Sequence, residues 1–381
     1  MNKFRIAWLL NSAFFYWHPA LSEFTQLFPE TTVFAGWWKG YAPGFEDSFK
    51  IEIVGDGNKT VIPLVQSETS YGANFTYLPL SIVNRLLQYK PHLIFTNSFG
   101  VWTILALLLK PVGKWRVVIA YEGSSPGVDY RNSALRLAVR RTMVQAADAC
   151  ITNSQAGKAY LIEVLNAQAD HVFAQPYEVP DSKALSGYSQ DIELRIPPSQ
   201  RPIFLFVGSV ASRKGIHLLL EACAILKKQD CHNYTLLVVG DGSQREELEV
   251  FCQNHSLAEQ VKWLGRADYG QLGAFFRKAD IFVLPTLEDT WGVVVSEAMV
   301  FGKAVLCSKW AGAAELVVEG ENGYCFDPHD PEGLAELMHR FINDPDLAVS
   351  MGQKSEQLIT QYTPKAAAEF LAKVTSFALE N

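Results

Sequence analysis

Short β-branched and apolar runs alternate with helical patterns along most of this chain, and that alternation restricts the fold more than any other feature. In the first half the candidate strands are residues 4–10, 32–35, 51–54, 93–96, 117–120 and 149–152; in the second half they are 203–207, 235–239, 261–264, 281–284 and 304–306. They read as unbroken apolar runs, the pattern of strands covered on both faces. Helical signals lie between them. Ile216, Leu219, Leu220 and Cys223 share one face, and Asp330-Pro331 supplies an N-cap and a first helical residue ahead of 333–342. The expected class is α/β, with parallel sheets and helical crossovers.

A length of 381 residues suits two domains of roughly 150 to 200 residues each. The stretch PDSKALSGYSQDIELRIPPSQR, residues 180–201, is rich in Ser, Pro and charge and separates two blocks of similar size. The expected units are 1–185, 195–360 and a last helical segment, 361–381. A hydrophobic share of 49% against 19% charged residues excludes a disordered or fibrous chain, and a formal net charge of −7 argues against a broad nucleic-acid surface. The start, MNKFRIAWLLNSAFFYW, imitates a signal peptide, but Asn11 interrupts its apolar run and it is read as a first buried strand. The most apolar window, 99–109, is far short of the roughly 20 residues that span a bilayer. No C-x-x-C pair occurs among Cys150, Cys223, Cys231, Cys252, Cys307 and Cys325, which suits reduced thiols and a cytoplasmic location.

Two segments carry chemistry. In the first, Phe206-Val207-Gly208-Ser209-Val210-Ala211-Ser212-Arg213-Lys214-Gly215, a strand empties into a loop with two adjacent cations and then opens a helix, an arrangement that suits phosphate. The plainer reading is a solvated turn. In the second, residues 284–299, a strand ends at Pro285, a helix begins near Gly292, and carboxylates at Asp289 and Glu297 bracket the turn. Carboxylates beside backbone donors suit a ligand with many hydroxyls and a phosphate, a sugar nucleotide. Helix-capping acids are the plainer reading of either acid alone.

The segment 208–215, the Val-Val-Gly-Asp-Gly run at 238–242, the stretch from Ala279-Asp280 through Glu297-Ala298-Met299 to Gly302, and Gly312 to Asn322-Gly323 together resemble the carboxyl-terminal domain of the retaining glycosyltransferases of family 4. The resemblance covers nearly all of the second block. It implies the GT-B fold, two Rossmann-like doubly wound parallel-sheet domains facing a deep cleft, with 1–185 binding the acceptor, 195–360 the donor, and 361–381 packing back on the first domain. Carried over position by position, Glu297 is the ribose ligand, Asp289 the contact to the transferred sugar, and Lys214 a diphosphate ligand. This chain has Asp289 where the family has Glu, and Ser209 where the family has Arg, so Arg213 is expected to supply the missing charge. The donor site so implied comprises Gly208, Ser209, Lys214, Gly240, Gly265, Arg266, Asp289, Thr290, Trp291, Gly292, Val293, Val294 and Glu297, with Arg213, Lys214, Asp289 and Glu122 as catalytic candidates.

The first block departs further from the family. The usual glycine-rich loop after the first strand is replaced by 11–19, and where relatives place a His this chain reads Tyr121-Glu122-Gly123. Glu122 is read as a sugar or acceptor contact, with a structural acid as the alternative, and His18 as a satisfied loop histidine. Trp37 and Trp38 suit stacking on a sugar face or packing. Residues 131–144, with Arg136, Arg140 and Arg141, read as a basic amphipathic helix, either a docking face for an anionic bilayer or an ordinary surface helix.

The implied activity is retaining, metal-independent transfer of a hexose-type sugar from a nucleoside-diphosphate sugar to a carbohydrate, lipid-linked or small-molecule hydroxyl, in polysaccharide or glycoconjugate biosynthesis, with no cofactor. The competing reading is a GT-B protein that binds nucleotide or sugar without catalysis. Gly123-Ser124-Ser125-Pro126-Gly127 matches the nucleophile elbow of serine hydrolases, but Pro126 has no N–H for the oxyanion hole. Asp344-Pro345-Asp346 is read as punctuation rather than a metal pair.

Overall fold

The computed structural model describes residues 3–55, 61–65, 73–76, 78–187 and 197–380. Among the described residues fifteen strands form two parallel sheets and one antiparallel pair. The strands of the first half are β1 (Ile6–Ala13), β2 (Thr31–Trp38), β3 (Lys50–Ile53), β4 (Val61–Val65), β5 (Ala73–Thr76), β6 (Leu93–Asn97), β7 (Arg116–Ala120), β8 (Ala149–Thr152) and β9 (Val172–Ala174). Seven of them make a parallel sheet in the order β3-β2-β1-β6-β7-β8-β9, and β4 and β5 pair antiparallel. The second half contributes β10 (Ile203–Val207), β11 (Thr235–Val239), β12 (Val261–Gly265), β13 (Ile281–Leu284), β14 (Ala304–Ser308) and β15 (Gly323–Phe326), in the order β12-β11-β10-β13-β14-β15. The strand order reverses beside β1 and beside β10, and in such doubly wound sheets ligands bind beyond the carboxyl ends of the strands at that reversal.

The chain changes unit at Pro180 and returns to the first unit at Tyr362. Residues 188–196, the middle of the expected linker, lie outside the described residues. In the first unit Trp8 of β1 stacks on Phe95 of β6 with ring centroids 4.2 Å apart, and fully burying such a side chain contributes on the order of 2–3 kcal/mol. The last helix, Pro364–Glu380, belongs to this unit and packs on the helix His18–Leu27, burying Ala367, Ala368, Leu371 and Val374. The second unit has its own core, in which Phe204, Phe206, Leu236 and Val238 meet Leu219 and Leu220 from one helix and Leu334 and Met338 from another. Asp330 caps that second helix, its carboxylate accepting from the Gly333 N–H at 3.0 Å.

Strands β4, β5, β9 and β15 escape the reading of the sequence. β15 begins on Gly323, which looks like a turn residue. The glycine is there because a Cβ at that position would stand 1.9 Å from the Val305 carbonyl oxygen on β14. The expected basic helix forms over Ala134–Ala146, but its cationic face does not. Arg140 is buried, donates to the Val128 carbonyl at 2.7 Å and to the Tyr160 hydroxyl at 3.0 Å, and lies over the rings of Phe99 and Tyr130. Arg136 lies over Tyr130 at 3.9 Å. These cations hold the loop after β7, so the reading of 131–144 as a face for a bilayer loses its central charge. Among the described residues no helix is long and apolar enough to cross a membrane.

Candidate active site

The chemistry-bearing residues of the second unit gather where β10 and β13 end, on the two sides of the strand-order reversal. After β10 the backbone stays tied to its neighbours: Gly208 N–H donates to Val239 O at 3.0 Å, Val210 N–H to Asp241 O at 3.0 Å, and Gly240 N–H to Gly265 O at 2.7 Å. Gly240 has φ of +147° and a Cβ there would stand 1.7 Å from Gly208 O, so no other residue fits. The loop closes with a single turn, Ser212–Lys214, and the helix Ile216–Lys228 begins after Gly215.

At Gly215 the loop presses against the one that follows β13, since a Cβ there would fall 1.9 Å from the Pro285 carbonyl oxygen. Hydrogen bonds join the loops. Leu287 N–H and the Thr286 hydroxyl donate to Arg213 O at 2.8 and 3.1 Å, and the Arg213 guanidinium donates to Glu288 O at 2.6 Å. One ion pair completes the junction, Lys214 Nζ to Asp289 Oδ2, with the Asp289 side chain 9% exposed and that of Lys214 17%. Asp289 is held from behind as well: its N–H donates to Trp310 O at 3.1 Å and its carbonyl accepts from Gly312 N–H at 3.1 Å.

Gly292, at φ +91°, turns the chain into the helix Val293–Val300, whose first turn carries no side-chain cap. The N–H groups of that turn and the half-buried Val293 and Val294 therefore follow directly on Asp289 and Thr290. Trp291 is 2% exposed, so its ring belongs to the core and only its backbone is at the loop. Glu297 lies one turn further on, 4% exposed. Burial pushes its carboxyl up to about 7, partly opposed by a hydrogen bond from Tyr269.

The structure thus joins Arg213 and Lys214 on one loop to Glu288 and Asp289 on the other, with Thr290 and Gly292 next along the chain and Glu297 on the helix that follows. Gly208 lies at the mouth of the β10 loop, Ser209 beside it is exposed, and Gly265 (φ +71°) and exposed Arg266 follow β12. Glu122 belongs to the first unit, at the end of β7, where its Oε1 accepts from Asn97 Nδ2 at 3.2 Å. His18 is buried and its Nδ1 accepts from the Ala42 N–H at 2.9 Å, as a structural histidine does. Tyr269 has no signal in the sequence: its partner Glu297 comes from another segment, and only the fold brings them together.

Residues 191–358 match the model of the family described as glycosyl transferases group 1. The chain is 25% identical over 257 residues to a D-inositol 3-phosphate glycosyltransferase of Corynebacterium jeikeium, a match that covers 65% of this chain and 61% of the relative. It is 29% identical over 156 residues to a glycogen synthase of Mycobacterium tuberculosis, covering 41% of this chain and 37% of the relative. The chain thus spans less than two thirds of the length of these curated relatives. Among solved structures, the Anabaena HepE protein in complex with UDP superposes with a TM-score of 0.75 at 19% identity, covering 98% of this chain and 99% of that one. A sucrose-phosphate synthase from Thermosynechococcus elongatus gives 0.71 at 21% identity, covering 98% of both chains. The fold is GT-B, two Rossmann-like units each built on a parallel sheet.

Proposed function

We propose that this chain, whose second unit matches the group 1 glycosyl transferases, moves a hexose-type sugar from a nucleoside-diphosphate sugar to a hydroxyl acceptor with retention of anomeric configuration. The observation that carries the reading is the Lys214–Asp289 pair, set beside the uncapped first turn of the helix that bears Glu297. A sugar nucleotide needs these groups at one place: a cation and N–H donors for the diphosphate, and carboxylates for the ribose and sugar hydroxyls.

In this mechanism the bond between the anomeric carbon and the diphosphate oxygen breaks, and the acceptor oxygen attacks from the same face. The acceptor proton passes to the departing phosphate oxygen. The main requirement is to stabilise the negative charge that grows on that oxygen, and preorganised donors in a partly dry site do this well. Lys214 supplies the positive charge, already held in place by Asp289, and the N–H groups at Val293 and Val294 add the dipole of the helix. Arg213 fixes the loop through Glu288 O and adds its charge from the same turn. With these cations in the chain itself, no metal is needed to carry the diphosphate charge. Asp289 reads a hydroxyl of the transferred sugar, Glu297 the ribose diol, and Glu122 is assigned to the acceptor.

HepE is described in complex with UDP, with UDP-glucose, and with UDP and glucose, and this supports a nucleotide-sugar donor here. The test is a thermal-shift screen against UDP, GDP, ADP and their common sugar conjugates with a chelator present, since a ligand of the native state raises the melting temperature. A shift from one nucleotide series, followed by an NMR reading of the anomeric configuration of the product, supports the reading. No shift from any series, or an inverted product, overturns it.

A further inference from the structure

One face of the first sheet is covered by a layer of helices. The helices Ile82–Tyr89 and Val101–Leu108 place Ile82, Leu86, Trp102 and Ala106 against Ala7, Leu9, Ile94 and Val117 of the sheet, and Ala134–Ala146 places Met143 and Val144 against Ile119 and Cys150. Side chains tie the layer together. The Trp102 indole N–H donates to Pro79 O at 3.0 Å, just ahead of the first helix. Lys110 Nζ, on the turn Lys110–Gly113 that follows the second helix, donates to Ala146 O at 2.9 Å, at the end of the third. With its inner side buried, such a layer should be polar outside. It is not: of the fourteen large apolar side chains exposed among the described residues, six are Leu87, Ile104, Leu108, Val112, Leu135 and Val139. Ile104, Leu108 and Val112 recur at intervals of four, as do Leu135 and Val139, so each set forms a ridge. Leu108, Val112 and Leu135 are 69%, 70% and 76% exposed.

The charge around these ridges is of one sign. The whole chain carries −7, yet residues 78–90, 98–116 and 130–147 contain no Asp or Glu. The carboxylates at their borders are engaged: Asp148 pairs with Lys110 at 2.8 Å and with Arg116 at 3.0 Å, and Asp129 pairs with Arg131 at 3.0 Å. Arg85, Lys90 and Lys114 stand exposed on the layer. We propose that this helix layer is a docking surface for an anionic lipid bilayer. The ridges enter the boundary between headgroups and acyl chains, and Arg85, Lys90 and Lys114 meet the lipid phosphates. Arg140, turned inward, takes no part; the surface is made by the ridges of neighbouring helices and not by a cationic stripe on one of them. The core of a protein–protein interface is depleted in Lys and its rim is polar. Apolar ridges set among cations, with no carboxylate between them, instead complement a surface that is anionic outside and apolar beneath. In such interfacial binding the burial of apolar groups and the attraction to anionic headgroups add.

The test is flotation of the full chain with vesicles of phosphatidylcholine alone and of phosphatidylcholine containing about one quarter phosphatidylglycerol, at low and high salt. Two variants separate the contributions. Leu108→Gln, Val112→Gln, Leu135→Gln removes the ridges. Arg85→Gln, Lys90→Asn, Lys114→Asn removes the cations, with Asn at the two lysines because their φ values are +52° and +53°. All six side chains are exposed, so the melting temperature and any nucleotide-induced shift should match wild type. Wild type should float with the anionic vesicles and much less with the neutral ones, high salt should weaken the binding, and each variant should bind about tenfold more weakly or worse. No flotation with anionic vesicles, equal flotation with both compositions, or variants that bind as wild type does overturn the proposal. So does a wild type that stays off vesicles and self-associates without lipid while the ridge variant is monomeric, which would make the face an interface between copies of this chain. A donor-site reading that fails shows itself separately, as a wild type with no thermal response to any nucleotide.

Discussion

Lys214 and Asp289, 75 residues apart in the chain, form an ion pair that joins the loop after β10 to the loop after β13. Each partner is largely screened from water, so neither charge is well solvated if the other is lost. The pair therefore holds the site together and also supplies its cation.

These two roles separate by mutation. Lys214→Ala is expected to lower turnover roughly 10²-fold, as removal of other charge-stabilising groups does, and to lower stability because Asp289 is left charged and unpaired. The double variant Lys214→Met, Asp289→Asn should regain most of the stability and none of the turnover. Melting temperature and steady-state transfer, measured on the same preparations, check this. Unchanged turnover in K214A removes the lysine from the mechanism.

Glu297 gives a stability test that runs against its function. Burial raises its carboxyl to about 7 in the folded chain from the usual 4.5, so the unfolded state releases the proton first as pH rises. Stability should fall between about pH 4.5 and 7 by on the order of 3 kcal/mol and then level off. Glu297→Gln removes the titration, so the variant should gain stability relative to wild type as pH rises from 5 to 8, while its nucleotide affinity falls. Denaturant melts of both proteins at pH 5 and pH 8 read the first effect and calorimetry the second. A parallel pH dependence in the two proteins would count against the buried, uncharged state.

His18 slopes the other way. Burial depresses the imidazole to about 4 from its usual 6.5, partly countered by a backbone hydrogen bond to Ala13, and Nδ1 is occupied as an acceptor of the Ala42 N–H. The stability this neutral ring contributes is present above pH 6.5 and lost as pH falls toward 4, by on the order of 3 kcal/mol. His18→Asn, whose amide oxygen can replace Nδ1 as acceptor, should flatten that acid limb while leaving the melting temperature at pH 8 close to wild type.

Much of this was legible in the sequence, and the failures have a common cause. The strands at 203–207, 235–239 and 281–284 appear with the expected bounds, because residues buried on both faces leave unbroken apolar runs. Lys214, Asp289 and Glu297 stand out by spacing. Their arrangement does not, since the pairing of β10 with β13 is a property of the sheet and not of either segment. Arg213 reads as a phosphate ligand, yet its guanidinium is engaged with Glu288 O. Arg140 reads as a surface cation because charge counting along a helix is blind to Phe99, Tyr130 and Tyr160, which come from elsewhere and cover it. Tyr269 has no periodicity to betray it. Features carried by one segment can be read; features made by two segments meeting cannot.

Gly215 lies where two segments meet, and it gives the sharpest structural test. Its φ of +66° is unfavourable for a residue with a side chain, and the Cβ of an alanine would overlap the Pro285 carbonyl oxygen at 1.9 Å. The strain of the backbone alone is on the order of 1 kcal/mol, and the overlap with a rigid carbonyl adds to it. The loop cannot relieve the clash without moving Arg213 and Lys214 away from Glu288 and Asp289, because Gly215 follows both cations directly. Gly215→Ala should therefore lower the melting temperature and also abolish the nucleotide-induced thermal shift. Gly320→Ala serves as the control, a positive-φ glycine (+75°) of the same unit with open space around its Cβ position. That variant should lose a comparable backbone increment and keep the shift. A G215A protein that still responds fully to nucleotide would mean that the junction of the two loops is not what holds the donor.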